Sequence, residues 1–94
     1  MKQLNEIENA RLAINDIDAR MAHLFESRMQ LCRDVAEYKK KNGLGILDDT
    51  RERAKVENAS DLIEDPEKRE LYVLFQKHLM RLSRDYQRRI IQGM

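Results

Sequence analysis

With 94 residues, the chain is long enough for one domain at most, taken as residues 1–94. It is 37% charged but carries a formal net charge of only +1, which excludes the broad basic field of a nucleic-acid binder. Three glycines, one proline and an excess of Leu, Glu, Lys, Arg and Ala predict an all-α chain.

The single cysteine, Cys32, excludes an internal disulfide and reads as a packed thiol. Residues 1–10 are polar, without the apolar core of a secretory signal. No apolar run approaches the roughly 18 residues a membrane span needs. The expectation is a cytoplasmic protein.

The first predicted helix runs from about Asn5 to Lys41. Leu4 to Lys41 contains neither Pro nor Gly. Leu4, Ile7, Ile14, Ile17, Met21, Leu24, Phe25, Leu31, Cys32 and Val35 recur at helical spacing. Arg28 and Lys39 fall in the middle of this stripe, and Arg11 lies at its edge. A cation facing a core is costly unless paired, so these three suggest a site for an anion.

Asn42 and Gly43 end the helix, with Gly43 suited to a left-handed cap. After a loop over 43–48, a second helix opens at Asp48 or Asp49. Asp49 and Glu52 read as a capping-box variant, and the helix continues through Val56, Ala59 and Ile63. Asp65-Pro66 starts a third helix, with Asp as N-cap and Pro at the first helical position. It carries Leu71, Leu74, Phe75, Leu79, Leu82, Tyr86 and Ile90, and frays near Gly93. The chain thus has one long, one short and one medium helix.

Length predicts assembly. A helix of about 37 residues spans about 55 Å, whereas a compact chain of this size has a radius of gyration of about 12 Å. The long helix is therefore expected to outreach any monomeric core, with a second copy packed along it. An intertwined, two-fold helical homodimer is the predicted assembly. A simple coiled coil fits less well, because Arg28 and Lys39 are poor seam residues.

Each helix offers polar groups to a partly apolar interior. Glu52 shares a face with Val56, Ala59 and Ile63, with Arg51 beside it and Asp48 at the helix mouth. Ser83 and Gln87 are four apart on the third helix. Arg and Lys can hold two carboxylates, Glu52 can accept from a hydroxyl, and Lys39 and Gln87 can donate to an ether or carbonyl oxygen. Taken singly, each residue also has an ordinary reading: a solvated charge, a cap or a snorkelling lysine. Periodicity alone leaves both readings open. There is no Cys/His or Ser/His pairing at a plausible catalytic spacing, no metal-ligand cluster and no Gly-rich phosphate loop. His23 falls on the solvent side and His78 is isolated. Neither a metal nor a cofactor is expected.

Together these motifs resemble the all-helical chorismate mutases of the AroQ class. The match lies in Arg11-Leu12-Ala13-Ile14-Asn15-Asp16-Ile17-Asp18, in Arg28 and in Val35-Ala36-Glu37-Tyr38-Lys39. It continues in Asp48-Asp49-Thr50-Arg51-Glu52, the D-x-x-R-E pattern, and in Ser83-Arg84-Asp85-Tyr86-Gln87, the S-x-x-x-Q pattern. The Gly43-Leu44-Gly45 linker departs from the family in lacking its usual proline. The resemblance implies an isomerase that converts chorismate to prephenate on the route to Phe and Tyr. It also implies a homodimer in which each site is completed by the partner's first helix. It implies that Arg28 and the partner copy's Arg11 hold substrate carboxylates, and that Lys39 and Gln87 contact the ether oxygen. Glu52 with Asp48 would bind the ring hydroxyl, and Arg51 and Ser83 would complete the polar wall. The alternatives are an isochorismate pyruvate-lyase on the same fold and a non-catalytic helical dimerisation module.

Overall fold

The computed structural model describes residues 5–93. Among them there is no strand, and three helices follow in order: α1 (Glu6–Lys41), α2 (Asp49–Asp61) and α3 (Pro66–Gln92). None is long and apolar enough to cross a membrane. Leu4, placed at the start of the apolar stripe, lies outside the described residues. The chain divides into two compact units, Met1–Leu31 and Cys32–Met94, and α1 contributes to both.

The helix ends follow from local chemistry. At the start of α1, Asn5 Oδ1 accepts from the Glu8 backbone N–H (2.8 Å), and Glu8 Oε2 accepts from that of Asn5 (3.4 Å). This reciprocal pair is a capping box. At the other end Gly43 has φ +65°. Its N–H donates to the Lys40 carbonyl at 3.4 Å, and that of Leu44 to the Lys39 carbonyl at 2.9 Å. That is a Schellman closure, which needs a left-handed residue. Lys39, Lys40 and Lys41 sit in the last turn, where cations favour the helix dipole.

The box read at Asp49 and Glu52 is not formed. Asp48 is extended (φ −124°, ψ 94°) and is itself the N-cap, accepting from the Arg51 N–H at 3.1 Å. One residue of shift puts Arg51 rather than Glu52 at the third helical position and leaves the Glu52 carboxylate for another partner. Nor does α2 reach Ile63. The Leu62 N–H donates to the Ala59 and Ser60 carbonyls, closing the helix. The Ile63 and Glu64 carbonyls accept from Arg69 Nε (2.8 Å) and Nη2 (3.2 Å). Asp65 then caps α3, accepting from the Lys68 N–H at 2.9 Å, with Pro66 in the first turn.

In the 32–94 unit the buried residues are Ala36 of α1, Ala59 of α2 and Gln76, Met80, Ser83 and Gln87 of α3. The last four follow i, i+4, i+7 and i+11, one face of the helix. The predicted apolar stripe of α3 is only partly inward: Leu71, Leu74, Phe75 and Leu82 are exposed, whereas Leu79, Tyr86 and Ile90 are half-buried. The inward line is mostly polar because α3 turns its Gln and Ser side chains inward. In the 1–31 unit the stripe is exposed throughout, including Ile7, Ile14, Ile17, Met21, Leu24, Phe25 and Leu31. Cys32 is half-buried and in no disulfide, and His23 and His78 are exposed.

Candidate active site

The 32–94 unit brings Lys39 and Gln87 together. Lys39 Nζ, in the last turn of α1, donates to the Ile46 carbonyl at 2.6 Å and to Gln87 Oε1 at 3.4 Å. The two bonds tie α1 to the α1–α2 loop and to α3. Gln87 is buried at 8% exposure, so its amide has few orientations to choose from. With Oε1 accepting from the ammonium, Nε2 is the end left to donate. The result is a cation and an amide donor side by side.

Glu52, released from capping, pairs with α3. Arg84 Nη1 donates to Glu52 Oε1 at 2.6 Å, a bond between α3 and α2 with both side chains largely covered (24% and 22% exposed). Ser83, one residue earlier, is buried, and its hydroxyl donates to the Leu79 carbonyl at 2.9 Å within the helix. Asp48 caps α2 one turn before Glu52, whose N–H donates to the Asp48 carbonyl at 3.0 Å, and Arg51 directly precedes Glu52. Asp48 and Arg51 are both exposed. Of the sequence-derived candidates in this unit, Lys39 and Gln87 are in direct contact. Asp48, Arg51 and Glu52 share the first turn of α2 and its cap, and Ser83 shares the buried face of Gln87.

Arg11 and Arg28 belong to the 1–31 unit. Arg11 is exposed, whereas Arg28 is half-buried among exposed apolar neighbours.

Two contacts escaped the sequence reading. Arg84 is one, although it stands inside the Ser83–Gln87 motif and one position from Ser83. The sequence offered no clear signal for it, because Glu52 already reads as a capping acid and as a ligand for the ring hydroxyl. Arg33 is the other. A hydrogen bond with the Tyr86 side chain and another with Glu37 hold its guanidinium still further above its ordinary pKa. The Glu37 bond runs from Arg33 Nε at 3.3 Å.

A hollow of about 380 Å³ opens on α2 and α3, lined by Asp49, Glu52, Arg53, Val56, Glu57, Lys77 and Met80. Its wall carries three carboxylates and two cations, Arg53 and Lys77, and neither Lys39 nor Gln87 lines it. Anion chemistry is better served on the Lys39–Gln87 side. Among the described residues, no cluster of three or more His, Cys, Asp or Glu has metal-holding geometry.

The chain is 37% identical over 51 residues to the 3-dehydroquinate dehydratase of Pyrobaculum aerophilum. That match covers 54% of this chain but only 17% of the relative's length, so it carries no activity across. No solved structure matches. The family model for chorismate mutase type II matches residues 10–88, which reach into all three helices and include all eight candidate residues from Arg11 to Gln87. The chain therefore belongs to the type II chorismate mutase family.

Proposed function

We propose that this protein is a chorismate mutase that converts chorismate to prephenate by an intramolecular rearrangement, working as a homodimer in the cytoplasm on the route to aromatic amino acids. The observation that carries the reading is the contact between Lys39 and Gln87, two donors beside each other on a largely covered surface. In the rearrangement the ether C–O bond breaks while a C–C bond forms within one molecule. No acid, base or nucleophile is required. What is required is a flexible side arm held over the ring and stabilisation of the charge that builds on the ether oxygen. Lys39 and the Nε2 of Gln87 serve that oxygen. A millionfold acceleration corresponds to about 8 kcal/mol, a reasonable joint demand on two fixed donors and two carboxylate clamps.

The clamps are Arg28 and Arg11, the latter donated by the partner copy. Glu52 and Asp48 accept from the ring hydroxyl, and Arg51 and Ser83 complete the wall. Ser83 must rotate to reach substrate, because its hydroxyl proton is given to Leu79. The exposed stripe of α1, from Ile7 to Leu31, supports the dimer. An apolar surface of that extent is unusual on a monomer, and a second copy would cover it.

The deciding experiment follows the ultraviolet absorbance of chorismate with purified protein and identifies prephenate among the products. Rapid loss with prephenate formed, abolished by Arg28→Ala, is the expected result. Turnover of isochorismate with pyruvate released, in place of chorismate turnover, would overturn it in favour of a lyase. Turnover of neither would leave a dimerisation module, which should tolerate Leu or Met at Arg28 and Lys39 with unchanged or higher stability.

A further inference from the structure

We propose that Arg84 is a positioning residue that makes the Glu52 carboxylate compatible with an anionic substrate: it binds one oxygen, cancels the local charge and leaves the other oxygen to accept a hydroxyl. The inference rests on the reading of the site given above and deepens it.

The pair differs in kind from its neighbours. Arg20–Asp16, Arg33–Glu37 and Arg88–Asp85 join residues three or four apart on one helix, with side chains 43–74% exposed. Such pairs have little effect on anything else. Arg84 and Glu52 are 32 residues apart, sit on different helices and are 24% and 22% exposed. At that burial, solvent screens a charge less well than at the surface.

Glu52 has a conflicting task. Its oxygen is wanted as an acceptor, but its charge repels a dianion. Neutralising it with a proton would turn an acceptor into a donor. Pairing it with a guanidinium removes the net charge and keeps the acceptor. The bond is single, from Nη1 to Oε1, so Oε2 keeps its acceptor capacity. Arg84 also locks the carboxylate's rotamer, so its direction is set before substrate arrives. Because the repulsion acts on substrate and transition state alike, its return on loss of Arg84 should appear in KM rather than in kcat.

The test compares Arg84→Met, Arg84→Lys and Glu52→Gln/Arg84→Met in steady-state kinetics on chorismate, with chorismate binding followed by calorimetry and folding by circular dichroism. Arg84→Met should raise KM and weaken binding by roughly tenfold, the scale of one uncompensated charge, with kcat changed by less than about threefold. Arg84→Lys, which keeps the charge, should recover most of the loss. Adding Glu52→Gln to Arg84→Met should lower KM again, because the repelling charge is gone. A plain staple between α2 and α3 would lower melting temperature in both Met variants and give no such recovery. If Arg84→Met does not fold, Arg84→Gln carries the same expectation. An unchanged KM in a folded variant, or a KM that worsens when Glu52→Gln is added, overturns the inference while the mutase reading stands. A wild type that neither binds nor converts chorismate overturns both.

Discussion

Lys39 Nζ donates to the carbonyl oxygen of the Gln87 side chain, so the amide of Gln87 is oriented by a cation on another helix. This relationship predicts a specific pH response. A neutral amide donates at any pH. In Gln87→Glu the introduced carboxylate must be protonated to donate. The neighbouring ammonium favours the charged form of that carboxyl and burial favours the neutral form, and with either balance the protonated fraction grows as pH falls. Activity of the variant should therefore be low at neutral pH and rise as pH falls, against a flatter wild-type profile. A kcat/KM profile from pH 4 to 8 decides it. Wild-type-like activity across that range would remove Gln87 from the ether-oxygen role.

Asp48 has two tasks that substitution can separate. It caps α2 through the Arg51 N–H, and it is proposed to meet the ring hydroxyl. Asn is an equally good N-cap. Asp48→Asn should leave melting temperature within about 2 °C but raise KM. Asp48→Ala should lose about 1 kcal/mol of helix capping, roughly 4–8 °C for a domain of this size. Thermal melts run alongside kinetics distinguish the two. If Asp48→Asn matches wild type in both, the carboxylate is a cap alone.

The helices were legible because their punctuation is local. Gly43, Asp65-Pro66 and the unbroken run to Lys41 each act within a turn, and their caps are formed as read. The start of α2 was less so, because Asp48 and Asp49 are both capable caps and only the backbone angles choose between them. The inward face of α3 was read as apolar with two polar guests. It is instead a line of Gln76, Met80, Ser83 and Gln87, since the apolar pattern of α3 is wider than the surface the rest of its unit covers. Lys39 and Gln87 were foreseeable as individuals and meet in space. Arg84 was not, because its role comes from a partner 32 residues away that seemed occupied as a capping acid.

The two glycines of the α1–α2 loop should respond oppositely to alanine. Gly43 is left-handed at φ +65°, with open space where a Cβ would go. Gly43→Ala should cost about 1–2 kcal/mol through backbone strain alone. Because the loop supplies the Ile46 carbonyl to Lys39, activity should fall with it. Gly45 also has open space but no positive φ. Gly45→Ala should be neutral or stabilise by up to about 1 kcal/mol, by restricting the unfolded chain. Denaturant melts of both variants check this. An equal cost at both positions would mean the loop is more constrained than its geometry indicates.

The proposed sharing of Arg11 across a dimer makes the sharpest demand. Arg11 lies on an exposed stretch of α1, beside apolar residues that are also exposed. On the proposed reading, Arg11 meets the substrate bound by its partner copy. Arg11→Ala and Arg28→Ala should each be inactive alone, because each removes one carboxylate clamp from both sites. In a mixed dimer one site loses both arginines and the other regains both. If all chains exchange randomly at equal concentration, half the dimers are mixed, and each holds one restored site of its two. Activity should then recover to roughly one quarter of wild type, assuming independent sites and symmetric assembly. Sedimentation should show the dimer, and mass spectrometry of differently tagged chains should show the exchange. Recovery near a quarter supports donation of Arg11 by the partner. No recovery despite proven exchange would place Arg11 and Arg28 in a site built from one chain.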